Sequence, residues 1–261
     1  MQLNEIISVC ERFAPLSISK EYCANFGHYD NSGIILNCGN KINKILCSLD
    51  FSKNAVKEAL DGEYGLIITH HPAIFGGIKS IDEDADELSK KLALCIKGGV
   101  SVYSMHLNMD AAKKGVDYFL MQGLGGSEEV IMDKLSNGGY GRAYSVCEQT
   151  FKNFYQNAIK TFNSNKCRIY GKDEKIIKKV ASFCGAGTDE KAINFALLNG
   201  VDAFVSSDMK HHNITALCEK GVAVIELTHY ASENYGFINA CKLMLKNISL
   251  LVKYYTDEIY L

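Results

Sequence analysis

The stretch 65-GLIITHHP-72 joins a buried-type apolar run to two adjacent histidines and a proline. A continuous apolar run of this length is typical of a strand covered on both faces in a parallel sheet. Pro72 ends the run, because proline has no N–H to give to a sheet ladder. Neighbouring side chains of a regular strand point to opposite faces, but at a broken strand end His70 and His71 can reach two neighbouring ions. A pair of surface histidines near a turn is the alternative interpretation.

Further histidines occupy the same kind of position along the chain. Each follows an apolar, strand-like run at the point where a loop or helix begins: they are His106, His211, His212 and His229. Asp110 lies four residues after His106, and Glu233 lies four residues after His229. Open α/β sheets build their sites at strand carboxyl ends, so imidazoles and carboxylates gathered there favour a metal centre.

Each of these acids also has a purely structural interpretation. Asp110 can cap or open a helix, and Glu233 can complement the dipole at a helix start. Their co-occurrence with the histidines favours ligation over these alternatives. Three imidazoles and two carboxylates are too many for one tetrahedral zinc with an open position. They suit two ions that share a bridging carboxylate and lie about 3.5–4 Å apart.

The runs on either side of this stretch alternate between strand and helix. Apolar side chains at helical spacing predict a helix over 3–13, and Ser52 is expected to cap a helix that continues to about Leu60. The pattern also predicts helices over 81–99 and 108–126, and it recurs in the second half of the chain. Such alternation predicts an α/β fold with mainly parallel or mixed sheets. The glycine-rich stretches 123–130 and 136–142 predict the softest region and a domain boundary. FCGAGTDE, residues 183–190, predicts either a tight strand–helix turn or an anion-binding glycine turn.

Two α/β domains are therefore expected. One is formed by residues 1–125 together with 226–261 and carries most of the metal ligands. The other is formed by residues 126–225.

Composition narrows the function classes. The chain has 261 residues, of which 47% are hydrophobic and 22% charged, and its net charge is −2. This charge gives no general reason to bind nucleic acid or an anionic membrane, unless lysines cluster on one surface. No apolar stretch approaches the roughly 18 residues of a membrane span, and no signal peptide is evident.

The ten cysteines include no C-x-x-C motif. They predict buried, reduced thiols in a cytoplasmic protein.

Several motifs together resemble the NIF3-like family, whose members are also described as dinuclear metal-centre proteins and GTP cyclohydrolase 1 type 2 homologues. They are ITHHPAIFGGIKSI (68–81), YSMHLNMDAAKKGVDYFL (103–120) and ELTHYASE (226–233). YDNSGI (29–34) resembles the family's Trp-Asp-Asn-x-Gly-Leu start, with Tyr29 in place of Trp. SSDMKHHNITAL (206–217) resembles another family segment, with Ser207 where glycine is common. The resemblance covers nearly the whole chain in the same order.

The resemblance implies two α/β domains around a cleft with two metal ions, and a homo-oligomer in the form of a ring-shaped hexamer. Carried over residue by residue, the implied metal ligands are His70, His71, Asp110, His229 and Glu233. Glu233 is the expected bridge. His106 is expected beside the ligands or as an acid/base. The metal can be Zn, Fe, Mn, Co or Ni, since such ligands accept each of them.

A metal-dependent hydrolase is thus the expected function, with a small-molecule substrate. Ring opening of GTP is the reaction that the resemblance implies, although the sequence contains no P-loop or other nucleotide motif. Asp208 and His211 are expected to help position the substrate. The alternative is a non-enzymatic, ring-forming metal-binding or regulatory protein, which needs the same ligands.

Overall fold

The computed structural model describes residues 1–39 and 41–260. The α-helices are α1 (Leu3–Phe13), α2 (Leu16–Phe26), α3 (Lys53–Asp61), α4 (Glu87–Gly98), α5 (Leu107–Asp110), α6 (Val116–Gly123), α7 (Phe151–Phe162), α8 (Glu190–Leu198), α9 (His211–Glu219) and α10 (His229–Met244). The strands are β1 (Gly33–Leu36), β2 (Lys44–Ser48), β3 (Leu66–Thr69), β4 (Ser101–Ser104), β5 (Ser127–Leu135), β6 (Gly138–Thr150), β7 (Arg168–Tyr170), β8 (Ile176–Ser182), β9 (Ala203–Ser207), β10 (Ala223–Leu227) and β11 (Leu251–Tyr255). A short 3-10 helix covers Glu258–Tyr260.

The chain divides into two compact units, each with one sheet. Unit 1 comprises Met1–Met109 and Ala240–Glu258, and unit 2 comprises Asp110–Asn239 and Ile259–Leu261. This is a mixed α/β architecture, so the expected fold class is confirmed. The domain bounds expected from the sequence, 1–125 with 226–261 and 126–225, remain a prediction.

Unit 1 contains a five-stranded sheet in the order β1-β4-β3-β2-β11. Strands β2, β3, β4 and β11 are parallel, and β1 runs antiparallel to β4 at the edge. The register pairs Thr69 with Ser104, and their hydroxyl oxygens lie 2.7 Å apart. Because β3 and β4 are parallel and in register, their carboxyl ends lie side by side. The residues that follow these two strands are therefore neighbours.

Local sequence accounts for the helices that cover this sheet. α1 buries Leu3, Ile6 and Cys10, which share one helical face. The Ser52 side chain caps α3 by accepting a hydrogen bond from the N–H of Ala55. These elements agree with the sequence pattern. The helix predicted over 81–99 begins later, because the Asp86 side chain accepts from the N–H of Ser89 and so caps α4.

Unit 2 contains a six-stranded sheet in the order β5-β6-β8-β9-β10-β7. Strands β8, β9 and β10 are parallel, while β5, β6 and β7 add antiparallel pairings. Phe183 and Phe204 stack in its core with ring centroids 5.2 Å apart.

A buried ion pair lies in unit 2. The Arg142 guanidinium donates to the Asp117 carboxylate at 2.7 Å, and both side chains are fully buried. Burial raises the pKa of Asp117 to about 6, against the opposing effect of Arg142. The carboxyl group is therefore still ionised at neutral pH.

Two predicted features of the middle region are wrong. The helix predicted over 108–126 is broken into α5 and α6, because Gly115 is extended and forms the N-cap of α6. Most residues of the glycine-rich stretches lie in the hairpin β5–β6 rather than in a soft, irregular region. A Cβ at Gly138 would lie 2.1 Å from the Ala111 carbonyl oxygen. Gly138 thus allows close backbone contact, which composition alone does not distinguish from flexibility.

The sequence pattern also missed α2, α7 and β7. In the described part of the chain, no helix combines the length and apolar character that crossing a membrane requires.

Candidate metal centre

Three histidines form one cluster in unit 1. The ring centroids of His70 and His71 are 5.0 Å apart, and those of His70 and His106 are 5.3 Å apart. One nitrogen of each ring lies within 4.8 Å of the corresponding nitrogens of the other two. The cluster exists because His70 and His71 follow β3 while His106 follows the adjacent parallel strand β4. These three imidazoles could hold a metal ion.

Oxygen acceptors orient the first two rings. The Nδ1 atom of His70 lies 2.8 Å from the carbonyl oxygen of Met105. A carbonyl oxygen can only accept, so this Nδ1 carries the proton and Nε2 carries the lone pair. The Nδ1 atom of His71 lies 2.7 Å from an Asp50 carboxylate oxygen, which favours the same tautomer. Metal-binding histidines usually donate their second ring N–H to a carbonyl or carboxylate in this way.

His106 is oriented by a buried carboxylate. Its Nδ1 atom lies 2.9 Å from Asp30, which also accepts hydrogen bonds from the hydroxyls of Ser19 and Ser32. Burial by itself would raise the pKa of Asp30. The hydrogen bonds from His106, Ser19 and Ser32 outweigh it and lower the pKa to about 2. Asp30 is therefore a permanent anion at neutral pH, and it holds the His106 ring in place.

Unit 2 contains a second set of potential metal-binding side chains, Asp110, His229 and Glu233. An oxygen of Asp110 and an oxygen of Glu233 lie within 4.8 Å of each other, and both residues are buried. His229 and Glu233 are one turn apart on α10, and His229 Nε2 lies 3.0 Å from the Glu233 carboxylate. On its other side, His229 Nδ1 lies 2.5 Å from the carboxylate of Asp208.

The glycine turn at 183–188 packs against these carboxylates. A Cβ at Gly185 would lie 2.3 Å from Glu233 Oε1. The neighbouring Cys184 Sγ lies 3.3 Å from an Asp110 oxygen. Burial raises the pKa of Cys184 well above its usual value, and the charges of Asp110, Asp117 and Glu233 add to the effect. Cys184 is therefore a neutral thiol that can donate to Asp110.

His70, His71 and His106 meet within unit 1, and in unit 2 Glu233 lies close to both Asp110 and His229. The carboxylate of Asp208 contacts the His229 ring. His211 and His212 lie exposed at the start of α9, and they belong to none of the potential metal-binding groups in the described part of the chain.

Sequence reasoning missed Asp50, Asp30 and Cys184 as neighbours of the site. YDNSGI contains Asp30, but the spacing of this motif indicates no role for that residue. Asp50 directly follows a strand-like run, which is the signal that singled out the histidines. Cys184 lies in the glycine turn FCGAGTDE, whose pattern draws attention to the glycines and not to the thiol.

The donor set fits divalent cations. Imidazole nitrogens and carboxylate oxygens suit Zn, Fe, Mn, Co and Ni. Two buried carboxylates as close as Asp110 and Glu233 repel each other in a low-dielectric surrounding, and a cation would relieve that repulsion.

Fold and donor groups together define an α/β protein with candidate metal sites. Residues 1–256 match the family described as Duf34/NIF3 (NGG1p interacting factor 3). A Clostridium perfringens protein named GTP cyclohydrolase 1 type 2 homolog is 32% identical over 238 residues, covering 89% of this chain and 87% of the relative. A Campylobacter jejuni protein of the same name is 31% identical over 255 residues, covering 97% and 95%. The chain therefore belongs to the Duf34/NIF3 family.

Solved structures agree with this fold. A hypothetical protein of Staphylococcus aureus superposes with a TM-score of 0.85 at 22% identity, covering 98% of this chain and 97% of that one. A Bacillus cereus protein related to NIF3 superposes with a TM-score of 0.83 at 19% identity, with the same coverage. The resemblance seen in the sequence motifs is confirmed.

Proposed function

We propose that this chain is a divalent-metal-dependent hydrolase that holds two metal ions. The proposed ligands are His70, His71, Asp110, His229 and Glu233. One observation carries the proposal: the Nδ1 atom of each proposed histidine ligand, His70, His71 and His229, contacts an oxygen acceptor. This arrangement leaves the Nε2 lone pair to be donated to a metal ion, as in known metal sites.

The two donor sets differ in charge and so in role. The imidazoles of unit 1 are neutral ligands, whereas Asp110 and Glu233 in unit 2 supply negative charge that offsets the charge of the ions. Glu233 has two oxygens and is the proposed bridge. Bound divalent ions would act as Lewis acids toward an oxygen of the substrate.

His106 is proposed to move a proton. Asp30 holds its Nδ1–H, so Nε2 is the atom that accepts or returns a proton during the reaction. The Asp30 carboxylate also fixes the orientation of the ring, as the carboxylate does in other His–Asp pairs. His106 is therefore proposed as an acid/base rather than as a ligand.

The substrate proposal rests on relatives. A Helicobacter pylori protein named GTP cyclohydrolase 1 type 2 is 26% identical over 251 residues. By analogy we propose a small-molecule substrate for this chain, with GTP as the first compound to test. A hexameric ring of identical chains is proposed on the same family grounds, and a cytoplasmic location is proposed from the cysteine pattern, which predicts reduced thiols.

Metal content tests the ligand set. Glu233→Gln keeps the shape of the side chain and removes its charge, and Glu190→Gln makes the same change at an exposed position on α8. After loading with Mn, Zn, Fe or Co and dialysis, the unaltered chain and Glu190→Gln should retain two equivalents by elemental analysis. Glu233→Gln should retain one or none. Two equivalents in Glu233→Gln would contradict the assignment.

Turnover assays test the proposal that the chain is a hydrolase. The loaded protein is incubated with GTP, phosphoesters and amides, and product is measured by chromatography. Turnover that disappears in Glu233→Gln together with the metal supports the proposal. A fully loaded protein with no turnover on any of these compounds would instead support a non-enzymatic metal-binding role.

A further inference from the structure

Two exposed aromatic side chains lie beside the histidine cluster of unit 1. Tyr29 is 60% exposed and Phe75 is 51% exposed. Their rings meet edge to face with centroids 5.5 Å apart. Among the residues that the structure describes, Phe75 is the most exposed phenylalanine. A large apolar ring kept in water has an energetic cost, and exposed apolar surface of this kind often marks a binding site.

The pair is held in place rather than loosely attached. The Asn31 side-chain amide donates to the carbonyl oxygen of Ile74, and this bond joins the segments that carry the two rings. The residue between Tyr29 and Asn31 is Asp30, which is anchored by Ser19. The aromatic faces are therefore pre-positioned before any ligand arrives, which reduces the entropic cost of binding.

The pair also adjoins the proposed acid/base. The rings of Phe75 and His106 pack edge to face with centroids 6.1 Å apart. After Phe75 the chain continues with Gly76 and Gly77, and a Cβ on either would meet nothing within 4 Å. The backbone that follows Phe75 is therefore uncrowded, and a ligand that rests on the Phe75 ring would lie next to the His106 imidazole.

We propose that Tyr29 and Phe75 form a stacking subsite for a flat, conjugated ring of the substrate. This inference rests on the proposed function and names the class of compound that the site would accept. Aromatic faces stack on conjugated rings through dispersion and offset quadrupoles, and they carry no charge with which to bind a phosphate. The subsite therefore selects the ring of a ligand, and not its anionic part.

The absence of tryptophan from the sequence provides a direct test. Tyr29→Trp introduces a single tryptophan whose fluorescence reports on the subsite. Leu251→Trp is the matched control: Leu251 is 59% exposed and pairs with Lys44, at the amino end of the parallel strands and away from the histidines. The probes are guanosine, GTP and inorganic tripolyphosphate, each titrated into metal-loaded and chelator-treated protein.

Guanosine and GTP should quench the Tyr29→Trp emission to saturation, and tripolyphosphate should not. The Leu251→Trp emission should respond to none of them. Adding Phe75→Leu to Tyr29→Trp should raise the guanosine dissociation constant about tenfold, and Phe75→Tyr should leave it nearly unchanged.

The outcomes separate this inference from the proposed function. Quenching by guanosine in chelator-treated protein supports the subsite, whatever metal the chain binds. Two bound equivalents of metal without quenching by guanosine or GTP would overturn the subsite and leave the metal centre intact. Emission that changes with protein concentration alone would assign the two rings to a contact between copies, and this would also overturn it.

Discussion

Gly185→Ala should weaken metal binding through a single methyl group. Gly185 has a φ of +59°, and its Cβ would lie 2.3 Å from Glu233 Oε1. Real Cβ atoms essentially never approach closer than 3.0 Å, so one of the two groups has to move by at least 0.7 Å. The backbone of Gly185 is fixed, since its N–H donates to Ser232 and its carbonyl accepts from Ser207. The Glu233 carboxylate is therefore the group that moves.

The substitution affects folding stability and metal affinity separately. An alanine in the left-handed region lowers the folding stability of the protein by about 1–2 kcal/mol. A shift of at least 0.7 Å also exceeds the roughly 0.2 Å that a metal–ligand distance tolerates. Disturbing a ligand in this way should weaken metal affinity about 10- to 100-fold, by comparison with changes in residues that orient ligands.

Gly200→Ala is the matched control for the effect on folding stability. Gly200 has a φ of +63°, and its Cβ would meet nothing within 4 Å. Urea unfolding of chelator-treated protein should show a similar loss of stability in both variants. Calorimetric titration with Mn or Zn should show weaker binding only in Gly185→Ala. If both variants bind metal as tightly as the unaltered chain, the proposed role of Glu233 is wrong.

Two further predictions concern buried charges. Arg142→Met should cost about 3–5 kcal/mol in urea unfolding, because it removes the buried cation that pairs with Asp117 and Glu129, and adding Asp117→Asn should recover part of that loss. A single variant that is no less stable than the unaltered chain would refute this account. The folded-state pKa of Asp30, about 2, lies below its usual 3.8, so its stabilisation of about 2 kcal/mol is present above pH 3.8 and lost as the pH falls toward 2. Acid unfolding should therefore show a steeper fall in stability over that interval for the unaltered chain than for Asp30→Asn, and identical pH profiles would contradict it.

Predictions from local pattern succeeded where one segment contains all the necessary information. The apolar face of α1 and the Ser52 cap of α3 depend only on residues within a few positions of one another. The same holds for the buried run that became β3 and for the histidines that follow it. Periodicity and capping are short-range effects, so the sequence shows them directly.

The middle of the chain shows where local pattern fails. Gly138 resembles part of a flexible linker, yet it lies in a hairpin and permits close contact with Ala111. Glycine serves both purposes, and only the path of a distant segment distinguishes them.

The sequence by itself indicated which side chains could bind a metal, and that the histidines among them follow strands. Tertiary structure decided which residues become their partners. Asp30 reaches His106 across 76 positions, and Cys184 reaches Asp110 across 74. Such pairings depend on which strands lie next to each other and in what register. Strand order and register are set by the burial of the whole sheet, and no single segment encodes them.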